Sequence, residues 1–190
     1  MRFINEHRHK AIGPMKSTRF KWLLSKYKDP VYTYAYYFLG NRFDAEDVSQ
    51  EVLIRCWQHL DSIKLGTAKA WLFRTTKNMC IDFTRRHQTR QKHFDTRDQE
   101  FLANLQDSDN DNSSIDENMV KEELDLLLAK LPDTYRTLVI MREIQGFSYK
   151  EISEFLDIPL NSVKVYLHRA RKGLRHLAKN KEYHHDQSKK

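Results

Sequence analysis

Cysteine occurs only twice in the 190 residues, as Cys56 and Cys80, and neither has a CxxC partner or a matching histidine cluster. That spacing argues against a zinc-ligand framework and against a disulfide scaffold. Both fall among apolar residues on helical patterns, as core thiols of a reducing compartment do. Glycine and proline are almost as scarce, at five and four, and strand-like alternation is hard to find, so the chain reads as all-α. No run approaches the roughly 20 apolar residues needed to cross a bilayer, and the N-terminus lacks an apolar signal core. The expected location is therefore cytoplasmic, without membrane insertion. Paired carboxylates, a phosphate-cradling glycine loop and metal-ligand spacing are all missing near the basic segments, so no catalytic site, metal or cofactor is expected. His184-His185-Asp186 lies in a polar terminal stretch that reads as unstructured.

What is abundant is positive charge. The net charge is +7 and the isoelectric point about 9.3, which favours a polyanionic partner. Part of it lies in residues 147–175, FSYKEISEFLDIPLNSVKVYLHRARKGLR, whose second half holds no Asp or Glu. Ser148 followed by Glu151 is a capping box opening a short helix, with Tyr149, Ile152, Phe155 and Leu156 on one face. Asp157-Ile158-Pro159 stops it. A second helix is expected from Asn161, taken as its N-cap, with Leu160, Val163, Leu167, Ala170, Leu174 and Leu177 as its apolar stripe. Its other faces carry Lys164, Arg169, Arg171, Lys172 and Arg175, with no Asp or Glu among them. This is a helix-turn-helix whose second helix suits a major groove, with phosphates gripped along its flanks. A solvated basic face is the bland alternative.

The rest of the chain divides by composition. Residues 1–28 read as a basic N-terminal extension broken at Gly13-Pro14. Residues 29–90 read as a helical domain: a helix from Asp29-Pro30 to Gly40-Asn41, a second capped by Asp44, a loop over 61–69, and the helix AWLFRTTKNMCIDFTRR. On the second helix Asp47, Gln50 and Glu51 lie off the buried face, suited either to the helix dipole or to docking. On the third, Leu72, Thr76, Met79 and Phe83 mark a core face. Arg74, Lys77, Asn78, Arg85 and Arg86 occupy adjoining faces, where cations and an amide can serve phosphates and unstacked bases or merely keep the helix soluble. Residues 91–119 form a linker. Between Gln99 and Asn118 it has six acidic residues and no Lys or Arg, and it reads as flexible. Residues 120–180 form the second small helical domain, with Pro132 starting a helix that stops at Gly146, and 181–190 form a disordered tail.

Two blocks carry a family resemblance. DAEDVSQEVLIRCW with AWLFRTTKNMCIDFTRR resembles region 2 of bacterial sigma-70-family factors, and LPDTYRTLVIMREIQGFSYKEISEFLDIPLNSVKVYLHRARKGLR resembles region 4. With no region 3 between them, the pattern is similar to the small extracytoplasmic-function group. The resemblance implies a promoter-specificity subunit of RNA polymerase. It implies docking of Asp47, Gln50 and Glu51 on the beta-prime clamp and of the second domain on the beta flap. Arg74, Lys77, Asn78, Arg85 and Arg86, with the 61–69 loop, would hold the minus-ten non-template strand. Ser162, Lys164, Tyr166, Arg169 and Arg171 would lie near promoter DNA at the minus-thirty-five element. The acidic linker would thread through the polymerase, and an anti-sigma factor would be a further partner. The family commonly has Gly-Thr where this chain has Asn161-Ser162, and often Arg where Tyr166 stands. That exchange removes a cation able to bind guanine bidentately, so a family promoter sequence cannot be carried over.

A stand-alone helix-turn-helix regulator would account for residues 147–175 but leaves the blocks at 44–57 and 71–86 unmotivated. An enzyme acting on nucleic acid has no residues to support it.

Overall fold

The computed structural model describes residues 14–90 and 117–187, with side chains over 15–86 and 124–179. The linker core and residues 1–13 lie outside the described residues, and so do the side chains of the His184-His185-Asp186 stretch.

Helix α1 runs Pro14–Leu39, straight through Pro30. The helix start expected at Asp29-Pro30 is therefore absent, and residues 14–28 are part of the bundle rather than an extension. The reason is a buried stripe. Leu23, Tyr27, Val31, Tyr34, Ala35 and Phe38 recur on one face and are all buried. An interior proline costs about 3 kcal/mol, whereas burying Leu23 and Tyr27 contributes about 2 kcal/mol each. Gly40 ends α1 at φ 68°, a left-handed conformation that glycine adopts without penalty. Its N–H donates to the Tyr36 carbonyl at 2.8 Å.

Helix α2, Arg42–Gln58, is capped by Asn41, not Asp44. The Asn41 Oδ1 accepts from the backbone N–H groups of Phe43 at 2.8 Å and Asp44 at 3.2 Å, so the helix opens earlier and Asp44 falls in its first turn. A 3₁₀ turn at Leu65–Thr67 leads into α3, Ala68–Arg90. Leu72 and Thr76 are buried as expected, but Met79 and Phe83 are only half-buried; Phe73 and Cys80 take the deep positions.

The second half holds α4, Glu117–Lys130, and α5, Asp133–Val139, which widens into a π turn at Ile140–Ile144. Gly146 turns the chain at φ 69°. Helix α6, Tyr149–Leu156, has the expected capping box between Ser148 and Glu151, and Asp157 turns left-handed at φ 55°. Helix α7 spans Leu160–Gln187. It starts before Asn161: the Pro159 carbonyl already accepts from Val163 N–H at 3.1 Å, which places Asn161 inside the first turn. The same shift leaves Leu160 at 42 % exposure, outside the stripe assigned to it. The helix also continues to Gln187, through most of the stretch expected to be disordered.

The two helical bundles, α1–α3 and α4–α7, share one continuous apolar core. Arg136 is buried at their junction and donates to the carbonyls of Phe38, Ala129 and Leu131 at 2.8–2.9 Å, with its guanidinium over the Phe38 ring. The hydroxyls of Tyr34 and Thr137 lie 3.0 Å apart, and burial pushes the Tyr34 phenol well above its ordinary pKa. Tyr36 donates to Asp125 at 3.0 Å, and Gln145 donates to the Pro30 carbonyl at 2.9 Å. All these bonds but two of the Arg136 bonds join residues about 90 or more positions apart.

Candidate nucleic-acid interface

Helix α7 sorts its residues cleanly by angle. Val163, Leu167 and Ala170 are buried on one side. Asn161, Lys164, Val165, His168, Arg169, Arg171 and Arg175 are exposed on the other sides. Of the candidates, Lys164 and Arg169 stand outward. Ser162 is half-buried at the flank. Tyr166 is also half-buried, its ring set edge-on against Tyr135 at 6.2 Å, so it leans towards the core instead of outward. Arg171 is held by Glu143, with Nη2 at 2.7 Å and Nε at 3.0 Å from Oε1. Val165 and His168 share the outward face and were not singled out from sequence. Counting about 100° per residue from the buried stripe would have found them.

Helix α3 presents Arg74, Asn78 and Arg85 along one line, at i, i+4 and i+11, and all three are exposed. Lys77 and Arg86 lie about 60° and 120° to either side, by the same helical count. Arg74 is already engaged: its Nε donates to the Phe155 carbonyl at 3.1 Å and Nη2 to the Glu154 carbonyl at 2.9 Å. A cation is favourable there, because the last carbonyls of α6 have no partner within their own helix. Beside it, Lys69 Nζ lies 2.6 Å from Glu151 Oε1 and 4.2 Å from the centre of the Phe147 ring. Lys69 and the Ser148 N–H hold the Glu151 carboxyl down at about 2, below its ordinary 4.5. The space between the helices is a cleft of about 590 Å³, with Trp71, Arg74 and Asn78 on one wall and Glu151 and Glu154 on the other.

On α2, Asp47 and Gln50 are exposed and Glu51 is half-buried, paired with Arg55 at 2.8 Å. Two residues missed from sequence extend this face. Phe43 is 74 % and Ile54 50 % exposed, and with Asp47 and Gln50 they fall at i, i+4, i+7 and i+11. A stripe mixing apolar and polar groups suits a protein partner better than a phosphate. Cys56 and Cys80 are buried, and burial raises both thiols above their ordinary value, which makes them poor nucleophiles. Among the described residues no group of three or more His, Cys, Asp or Glu could hold a metal ion.

Comparison with known proteins gives this geometry a family. Residues 23–90 match the family described as Sigma-70 region 2, and residues 121–174 match that described as Sigma-70, region 4. The ECF RNA polymerase sigma factor SigW of Bacillus subtilis is 31 % identical over 182 residues, covering 92 % of this chain and 97 % of that protein. SigE of Mycolicibacterium smegmatis is 32 % identical over 159 residues, covering 83 % of this chain; the match spans 61 % of the SigE length. The fold is also that of the sigma factor RpoE of Bartonella quintana, solved in complex with the anti-sigma factor NepR. The TM-score is 0.60 at 23 % identity, with 84 % of this chain and 96 % of that one covered. The chain belongs to the extracytoplasmic-function sigma factors of the sigma-70 family, which direct RNA polymerase to promoters.

Proposed function

We propose that the chain divides its work among three faces. The α2 stripe of Phe43, Asp47, Gln50 and Ile54, with Glu51 beside it, docks on the beta-prime clamp of core polymerase. The α3 line of Arg74, Asn78 and Arg85, flanked by Lys77 and Arg86, holds the non-template strand of the minus-ten element. Helix α7 enters the major groove at the minus-thirty-five element through Lys164, Arg169 and their neighbours, while the second bundle meets the beta flap. Melting is then driven by binding, because unstacked bases are held on the protein. Bond-making belongs to the polymerase, and this chain is not an enzyme.

The observation that carries the reading is the division of α7 into a buried stripe and a basic outward face, which is what a groove-reading helix requires. A partner of core polymerase works in the cytoplasm, and the similarity to a sigma factor crystallised with an anti-sigma factor supports a partner of that kind here.

The strand-holding assignment is tested with Arg85→Ala combined with Arg86→Ala. Open-complex formation should fall by about tenfold or more while affinity for core polymerase changes little. Equal loss of both would remove the assignment. Asp47→Ala with Gln50→Ala should do the reverse, weakening core binding first.

A further inference from the structure

The N-terminal half of α1 carries a cationic face that none of the three proposed surfaces includes. Between Pro14 and Lys28 the chain has five cations, Lys16, Arg19, Lys21, Lys26 and Lys28, and no Asp or Glu. Two of them fasten the helix to its own bundle. Lys16 Nζ lies 2.7 Å from the Asp61 carboxylate and stands over the Trp57 ring, and Arg19 donates to the Ile63 carbonyl. Phe20 adds an edge-on contact with Trp57 at 5.0 Å. This half of α1 is therefore pinned beside the start of the 61–69 loop. Lys21, Lys26 and Lys28 are exposed instead, and none of the three is in an ion pair among the described residues.

Among these cations stands an aromatic ring that the core does not use. Trp22 is 44 % exposed, although Leu23 beside it is buried, and Met15 is 86 % exposed. At about 100° per residue, Met15, Trp22 and Lys26 fall within about 40° of one another, with Arg19 at their edge. Lys26 Nζ is 4.9 Å from the centre of the Trp22 ring, and Tyr27 meets that ring edge-on at 6.4 Å. The indole is thus steadied by its own helix while much of it stays open to solvent. We propose that this face of α1 is a second single-strand platform: Trp22 stacks a base of the strand that continues past the minus-ten element, and Lys26 and Lys21 meet its phosphates. The inference rests on the proposed placing of that element on the 61–69 loop and α3.

An exposed ring flanked by long cationic side chains is what sequence-tolerant strand binding requires, because every base has a π-face and every nucleotide a phosphate. A ring already steadied by neighbours loses less freedom when a base settles on it. Position favours a strand as well. The loop exposes Lys64 and Leu65, and the surface pinned to its first residues, Asp61 and Ile63, is that of α1. A lipid surface is the other polyanion that suits an exposed tryptophan. Met15 and Trp22 are only two apolar groups, however, too few for the broad apolar face of an interfacial helix.

The test uses the full chain bound to core polymerase and a set of forked promoter fragments. One fork bears a single-stranded non-template segment limited to the minus-ten element; two others lengthen that segment by a few nucleotides at one end or the other. One lengthened fork should bind wild type about tenfold more tightly than the short fork. Trp22→Ala should abolish that gain and leave short-fork affinity within about twofold, whereas Trp22→Phe, which keeps a ring, should restore most of the gain. Lys21→Ala with Lys26→Ala should lower the salt dependence of the long-fork complex by about one counterion. No gain from either longer fork, or a gain that survives Trp22→Ala, overturns the platform. Equal weakening of Trp22→Ala on short and long forks also overturns it, since the ring would then act through the fold. If no core-dependent complex forms on the short fork, the assignment of the loop and α3 fails first, and the platform fails with it. Absence of the gain together with Trp22-dependent binding to phosphatidylglycerol vesicles would overturn the strand and transfer the face to a lipid surface.

Discussion

Glu151 shows how one side chain can serve local and distant structure together. One carboxylate oxygen closes the capping box with Ser148, and the other meets Lys69 across the cleft. Its folded-state pKa is depressed to about 2 from 4.5, first by the Lys69 bond and then by the Ser148 N–H. A depressed carboxylate stabilises the fold fully above its unfolded value, and that contribution is lost as pH falls from about 4.5 to 2. The side chain is 37 % exposed, so solvent screening keeps the contribution to about 1 kcal/mol or less. Urea denaturation should therefore find wild type slightly more stable than Glu151→Gln at pH 7, with the gap narrowing as pH falls below about 4.5 and closing only below about 2. A gap that persists unchanged at pH 2 would show that the charge is not its source. Arg136 illustrates the opposite case. It drew no attention as a sequence feature because nothing local distinguishes it from the exposed arginines of α7, yet it is buried and bonded to three carbonyls.

The helices themselves were largely legible, and the misplacements have two causes: a nearer local cap at Asn41, and burial acting from far away in sequence at α1. Ser148 and Glu151 announced α6 because a capping box is a local device, complete within four residues. The start of α1 was misread because Pro30 is a strong local signal, overridden by burial of Leu23 and Tyr27 against residues far away in sequence. Leu23→Ala should accordingly cost about 3 kcal/mol in urea denaturation; a loss near zero would return residues 14–28 to the status of an appendage. On α7, the candidate cations were legible as a charge run, but their partners were not. Glu143 holds Arg171 from another element, and Tyr135 draws Tyr166 inward. Lys164→Ala or Arg169→Ala should thus lower the salt dependence of duplex binding by about one counterion each, and Arg171→Ala should do so less. Fluorescence anisotropy over a salt series separates them. Equal slopes for all three would mean that the Glu143 pair opens on DNA.

At the scale of the molecule, the division into two helical bundles followed from composition, because the acidic stretch near Asp107 interrupts every hydrophobic pattern. That the bundles close on each other did not follow. The bonds from Arg74 to α6, from Lys69 to Glu151 and from Tyr34 to Thr137 join residues about 80 to 100 apart, and such pairings leave no periodic trace in a single sequence. The residues proposed to hold the strand were therefore found as a list, whereas the bonds of Arg74 to the other bundle were visible only in the fold. Both aspects bear on initiation, since the proposed function requires a chain that binds core polymerase and holds one strand. The most direct measurement is multi-round transcription by purified core polymerase on genomic fragments, with and without this protein. The account predicts discrete transcripts that depend on the protein, with permanganate-reactive thymines near their start sites. Tight duplex binding by the protein alone, with no co-elution with cognate core and no such transcripts, would contradict it.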